Sequence, residues 1–108
     1  MGINAFSKTG NTIVFTAASS PPSPVQCGST TIGGNQYRII NAGTTVVFLG
    51  YGTTASDATN AAATITTTGT AFPLLPSTDE ILTFVPNAYF TGVSTSTAVI
   101  YITPGDGV

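Results

Sequence analysis

Residues 36–52 read QYRIINAGTTVVFLGYG, two apolar, β-branched runs on either side of Asn41, Ala42, Gly43 and Thr44. Ile39, Ile40, Val46, Val47 and Phe48 favour the extended backbone of a pleated sheet, while Asn and Gly tolerate the positive φ of a tight reversal. The segment therefore reads as a β-hairpin, and it sets the pattern for the rest of the chain. Upstream, residues 12–17 alternate, with Ile13, Phe15 and Ala17 on one face and Thr12, Val14 and Thr16 on the other, which marks a strand. Residues 25–27 offer a second, short one. Downstream, 71–75, 80–85, 88–93 and 98–103 are apolar runs. They are bounded by Pro76-Ser77-Thr78, Pro86-Asn87, residues 94–97 and the closing Pro104-Gly105-Asp106-Gly107, all of which read as turns. About seven to eight short strands with regular turns make an all-β chain folded as a single antiparallel β-sandwich, with a jelly roll or Greek key as its topology.

Between these runs lie two other kinds of segment. Residues 19–24, SSPPSP, cannot join a sheet ladder because proline has no amide donor, so they read as a stiff extended connection. Residues 53–64 are rich in alanine, and Ser56 or Asp57 is placed to cap one or two helical turns within 55–63, over Ala58, Ala61 and Ala62. With no large apolar side chain this stretch reads as a surface excursion, after which 64–70 return to extended structure. Residues 1–9 carry no clear pattern and read as a flexible N-terminal arm on a sandwich domain of residues 10–108.

Composition narrows what such a domain does. Only six of 108 residues are charged, whereas the chain holds 21 threonines and nine serines, so its surface is neutral and hydroxyl-rich. Two cations, Lys8 and Arg38, cannot neutralise a run of phosphates, which argues against nucleic acid as a partner. No apolar run approaches the roughly 20 residues of a membrane-crossing helix, and residues 1–10 lack the apolar core of a signal peptide, so neither a membrane partner nor a targeting signal is expected. Cys27 is the only cysteine and histidine is missing, which leaves neither an internal disulfide nor a Cys/His metal site, and no cofactor is expected. Catalysis is disfavoured because no nucleophile and base can be paired from one cysteine, one lysine and four scattered carboxylates. Asp79 and Glu80 are neighbours, so on a strand they would face opposite ways; they read as solvated turn charges.

Two strands are apolar on both faces: Val46 and Phe48 oppose Val47 and Leu49, and Val99 and Tyr101 oppose Ile100 and Ile102. Either loops of the same chain or a partner must cover the second face, and edges with few charges to guard them point to self-association as a homodimer or homotrimer. Tyr51, Tyr89 and Phe90 are candidates for an interface anchor or a sugar-stacking platform, against the alternative of plain core aromatics.

Beyond these readings, the chain resembles small phage proteins encoded among virion structural genes, namely the jelly-roll head decoration, or cement, proteins of short-tailed phages. The resemblance lies in residues 35–43 (NQYRIINAG), 47–52 (VFLGYG), Pro86-Asn87 with Tyr89-Phe90-Thr91-Gly92, and 99–105 (VIYITPG), about half the chain. It implies a virion protein on the outside of the head, present in many copies, bound to the major capsid protein and stabilising the shell by bridging its subunits. On that reading the candidate interface residues are Ile3 and Phe6 of the arm with Tyr51, Tyr89 and Phe90. The alternative is a glycan- or host-binding β-sandwich module of a phage tail or fibre.

Overall fold

The computed structural model describes residues 7–28, 35–63 and 69–106. Its strands are β1 (Ser7–Lys8), β2 (Ile13–Ala17), β3 (Val25–Gln26), β4 (Gln36–Asn41), β5 (Val47–Gly52), β6 (Phe72–Leu74), β7 (Thr78–Thr83), β8 (Tyr89–Ser94) and β9 (Ala98–Asp106), with one helix, α1 (Ala55–Ala61), between β5 and β6. A front sheet runs β2-β9-β4-β7, with β1 prolonging the β2 position along the far end of β9. A back sheet runs β3-β8-β5-β6. Every strand pair is antiparallel, and the chain crosses from one sheet to the other at almost every connection, which is the order of a jelly roll.

That order corrects the hairpin reading of 36–52. Both runs are strands, but they do not pair: β4 lies between β9 and β7 in the front sheet, and β5 between β8 and β6 in the back sheet. Asn41 explains the crossing. Its side chain is fully buried and accepts from Gly43 N at 2.9 Å, while its amide donates to Thr45 O at 3.0 Å and to Leu74 O at 3.2 Å. The first two bonds curl the chain into a corner, and the third ties that corner to β6 of the opposite sheet.

The inner faces meet in one core built from Phe15, Tyr37, Ile39, Ile100 and Ile102 of the front sheet and Val47, Leu49, Leu74 and Phe90 of the back sheet, with Cys27 beside them. Alternation in β4 and β9 sends these residues inward and their neighbours outward. Tyr37 also pins the β7–β8 connection, since its hydroxyl donates to Val85 O and accepts from Ala88 N at 3.2 Å. Tyr37→Phe leaves both backbone groups without this partner and is expected to lower stability by about 1–3 kcal/mol, measured as a shift in urea midpoint.

Helix α1 is capped by Thr54, whose hydroxyl accepts from Asp57 N at 3.2 Å, rather than by Ser56 or Asp57. Nor is it a mere surface excursion: Ala58 is fully buried and Ala62 nearly so, because the helix lies on the outer face of β5 over Gly50 and Gly52. Alanine suits that contact, since small side chains over glycines let the backbones approach. Residues 64–68, expected to be extended, lie outside the described residues.

Two expected turns are strand. β9 continues through Pro104 and Gly105 to Asp106, paired with Gln36 and Tyr37 on one side and with β1 on the other. Proline is accommodated because its carbonyl, not an amide, serves the neighbour: Pro104 O accepts from Thr9 N at 2.9 Å. Asp79 and Glu80 lie within β7 rather than in a turn, on an edge strand where they guard against pairing with other chains. The expectation that edges lack charge therefore fails at the longest of them, and edge strand β6 holds Pro73. Residues 18–24 do form the stiff crossing, held to β8 by Thr91 Oγ1 donating to Pro22 O at 2.7 Å and Ser94 N donating to Ala18 O at 2.9 Å.

Candidate docking surfaces

The two ends of the sandwich differ in chemistry. At one end the front sheet finishes in the row Ser7, Asp106, Asn35 and Phe84, in which Ser7 pairs with Asp106 and Phe84 N donates to Asn35 O at 2.8 Å. The back sheet finishes there in Gly52 and Tyr89, which pair with each other. Tyr51 bridges the two sheets, its ring set edge-on to Phe84 with centroids 4.8 Å apart and tilted against Phe90 at 6.2 Å. Val85 follows, exposed at the surface. This arm end thus gathers Tyr51, Tyr89, Phe84 and Val85 beside the root of the N-terminal segment.

The candidate interface residues fare differently there. Tyr51 and Tyr89 are half-buried and lie at this end. Phe90 is fully buried, with its ring edge-on to Tyr37 at 4.9 Å, so it supports the surface from beneath and is a core residue rather than a contact. Ile3 and Phe6 lie outside the described residues. Ser7, Lys8 and Thr9, expected in the flexible arm, are part of the fold, since Ser7 and Lys8 form β1 and Thr9 bonds to Pro104. Phe84 and Val85 were read as the tail of a strand; Tyr37, 48 residues away from Val85, is what holds this connection at the end of the sandwich.

The second face of the back sheet is covered by the same chain, by α1 over Gly50 and Gly52 and by the 18–24 crossing, to whose Pro22 O the buried Thr91 donates. Among the described residues, no element covers the outer face of the front sheet. Val14, Tyr101, Ile40 and Asp79 form one row across its four strands, with Val14 52% and Tyr101 42% exposed. Beside this row, towards the end opposite the arm, an open groove of about 300 Å³ is lined by Arg38, Ile40, Asn41, Ala42, Ser77, Thr78 and Asp79. Arg38 donates from Nε at 3.0 Å and Nη2 at 2.8 Å to the same oxygen, Asp79 Oδ2. Both side chains are half exposed, so the pair contributes at most about 1 kcal/mol to stability. Tyr101 was visible in the sequence only as one side of a two-faced strand; its exposure follows once Ile100 and Ile102 are assigned inward.

Cys27 has neither exposure nor a base. Its thiol donates to Ile102 O at 3.7 Å, and burial pushes its pKa up from 9.0 to about 12. The folded thiol therefore stays protonated while the unfolded one ionises above pH 9, so the contribution of Cys27 to stability is unchanged below pH 9 and falls between pH 9 and 12, by up to about 1.4 kcal/mol per pH unit. Burial raises Tyr37 in the same direction. A disulfide-exchange reagent at pH 8 is expected to label Cys27 only as fast as the protein opens; labelling at the rate of a free thiol would contradict this. Among the described residues no helix is long and apolar enough to cross a membrane, and no three His, Cys, Asp or Glu side chains stand close enough to share a metal ion.

Compared with known proteins, the chain matches no family model, no curated protein and no solved structure.

Proposed function

We propose that this chain is a non-enzymatic decoration protein of a phage head, bound to the outside of the shell through its arm end and stabilising the shell by bridging major capsid subunits. The observation that carries the reading is the position of β1. By pairing Ser7 and Lys8 with the last residues of β9, it brings Ser7, the residue that follows 1–6 in the chain, to the same end that presents Tyr51, Phe84, Val85 and Tyr89. Residues 1–6, with Ile3 and Phe6, are then the clamp, adding a strand or an apolar anchor to a capsid subunit while the aromatic end seats on its neighbour. The resemblance to head decoration proteins and the neutral, hydroxyl-rich jelly roll support the virion setting.

The mechanism is mass action. A protein that binds only the assembled shell stabilises it by RT ln(1 + [L]/Kd), about 2.7 kcal/mol per site at a hundredfold excess over Kd, repeated over many sites. Self-association as a dimer or trimer belongs to the same reading, through the arm end, since α1 already covers the back sheet.

Co-sedimentation with emptied shells tests the proposal. The full chain is expected to saturate at hundreds of copies per particle, with little change between low and high salt, because the contact is chiefly apolar and backbone-mediated. The chain lacking residues 1–6 is expected to bind at least about tenfold more weakly, a loss of about 1.4 kcal/mol. Binding only at a dozen or fewer copies would favour the tail or fibre module instead.

A further inference from the structure

The geometry points to a second binding site, for a neutral saccharide, laid across β9, β4 and β7 on the outer face of the front sheet. Tyr101 would stack on one pyranose ring, and the Arg38–Asp79 pair would bond the hydroxyls of the next. The assignment goes beyond the decoration reading and does not rest on it.

Three observations converge on it. The first is the apolar platform: Tyr101 stands in register with Ile40 on one side and Val14 on the other, exposing an aromatic face in a row of aliphatic side chains. Pyranose rings present C–H faces that pack on such a ring, with their hydroxyls directed sideways to polar groups. The second is where the scarce charges sit. Two of the chain's six charged residues, Arg38 and Asp79, are placed next to this platform, half exposed, where an ion pair adds little to the fold. Both donors of Arg38 converge on Oδ2, so among the described residues Asp79 Oδ1 and Arg38 Nη1 have no hydrogen-bond partner. A carboxylate acceptor beside a guanidinium donor fits a sugar hydroxyl, which donates and accepts at once. The third is the wall of the groove, which is preset. Thr78 Oγ1 is bound to Leu75 O at 2.7 Å, and Asn41 is locked by its three bonds.

Tyr101 and Asp79 lie two strand spacings apart, roughly 10 Å, a span that two linked pyranose rings cover. A phosphate or sulfate fits less well, because the charge of Arg38 is already answered by Asp79 and the chain carries a net charge of −2. The groove lies at the end opposite the arm, so a chain docked by its arm end leaves the groove open to solvent.

The test is a titration of the isotopically labelled full chain, followed by amide chemical shifts, with maltose, lactose, cellobiose and N,N′-diacetylchitobiose as probes into the millimolar range. At least one is expected to give saturable shifts centred on residues 38–42, 77–79 and 99–103. Tyr101→Ala and Asp79→Asn should each weaken that probe by about tenfold or more, with their spectra otherwise native. Asp57→Asn, on α1 behind the other sheet, and removal of residues 1–6 should leave it unchanged. The assignment is overturned if no probe shifts these residues, or if Tyr101→Ala binds as well as the parent. It is also overturned if the same shifts appear on raising protein concentration alone, because a second copy then occupies the face. None of these outcomes bears on binding to shells, so the two readings fail separately.

Discussion

Replacing Phe90 with alanine is expected to lower the folding stability by about 3–5 kcal/mol, seen as a fall in the urea midpoint at constant slope. The ring is fully buried between the sheets, edge-on to Tyr37 at 4.9 Å and within 6.2 Å of Tyr51, and it sits on β8, an interior strand of the back sheet. Collapse into the vacated space is resisted, because β8 is held by β5 along its length and Tyr37 is anchored to both Val85 and Ala88. Tyr89, the preceding residue, is half-buried on the opposite face, and Tyr89→Ala is expected to cost under about 1.5 kcal/mol while weakening attachment to shells. A Phe90→Ala protein within about 1 kcal/mol of the parent would mean that the inner faces do not pack as described.

Gly50→Val is expected to cost about 3 kcal/mol, the upper end of ordinary overpacking. A Cβ at Gly50 would overlap Ala58 O and stand 2.5 Å from Ala62 N, and backbone atoms of a helix cannot turn aside as a side chain can. α1 must lift, uncovering Ala58, now fully buried. Hydrogen exchange of amides in 58–62 should accelerate along with the loss of stability; unchanged protection there would show that α1 is not seated on β5.

These two residues also mark how far the sequence could be read. Strand positions were legible, since alternation at 12–17 and the short apolar runs before Pro and Gly place almost every strand within a few residues. Pairing was not. The Asn41 turn has the composition of a hairpin, and what converts it to a corner is a bond to Leu74, 33 residues away, which no local pattern records. Which face of a strand points inward was hidden where both faces are apolar or small, as in β8, where five of six residues are buried, and in β9. For that reason Phe90 was a surface candidate and Tyr101 was not. The glycines at 50 and 52 are the floor for α1, a role visible only when the helix is in place. The arm-end surface was half legible, through Tyr51 and Tyr89, and its other half, Phe84 and Val85, depends on the Tyr37 hydroxyl reaching across the sandwich.

Shell stability on adding the protein back tests the central claim most directly. Particles stripped of the protein are heated, with and without prior addition of the full chain or of the chain lacking residues 1–6, and the temperature of genome release is recorded. The full chain is expected to raise that temperature in low and high salt alike, and the truncated chain to raise it little or not at all. If neither form shifts the release temperature at saturating concentration, the protein is not a decoration protein of the head.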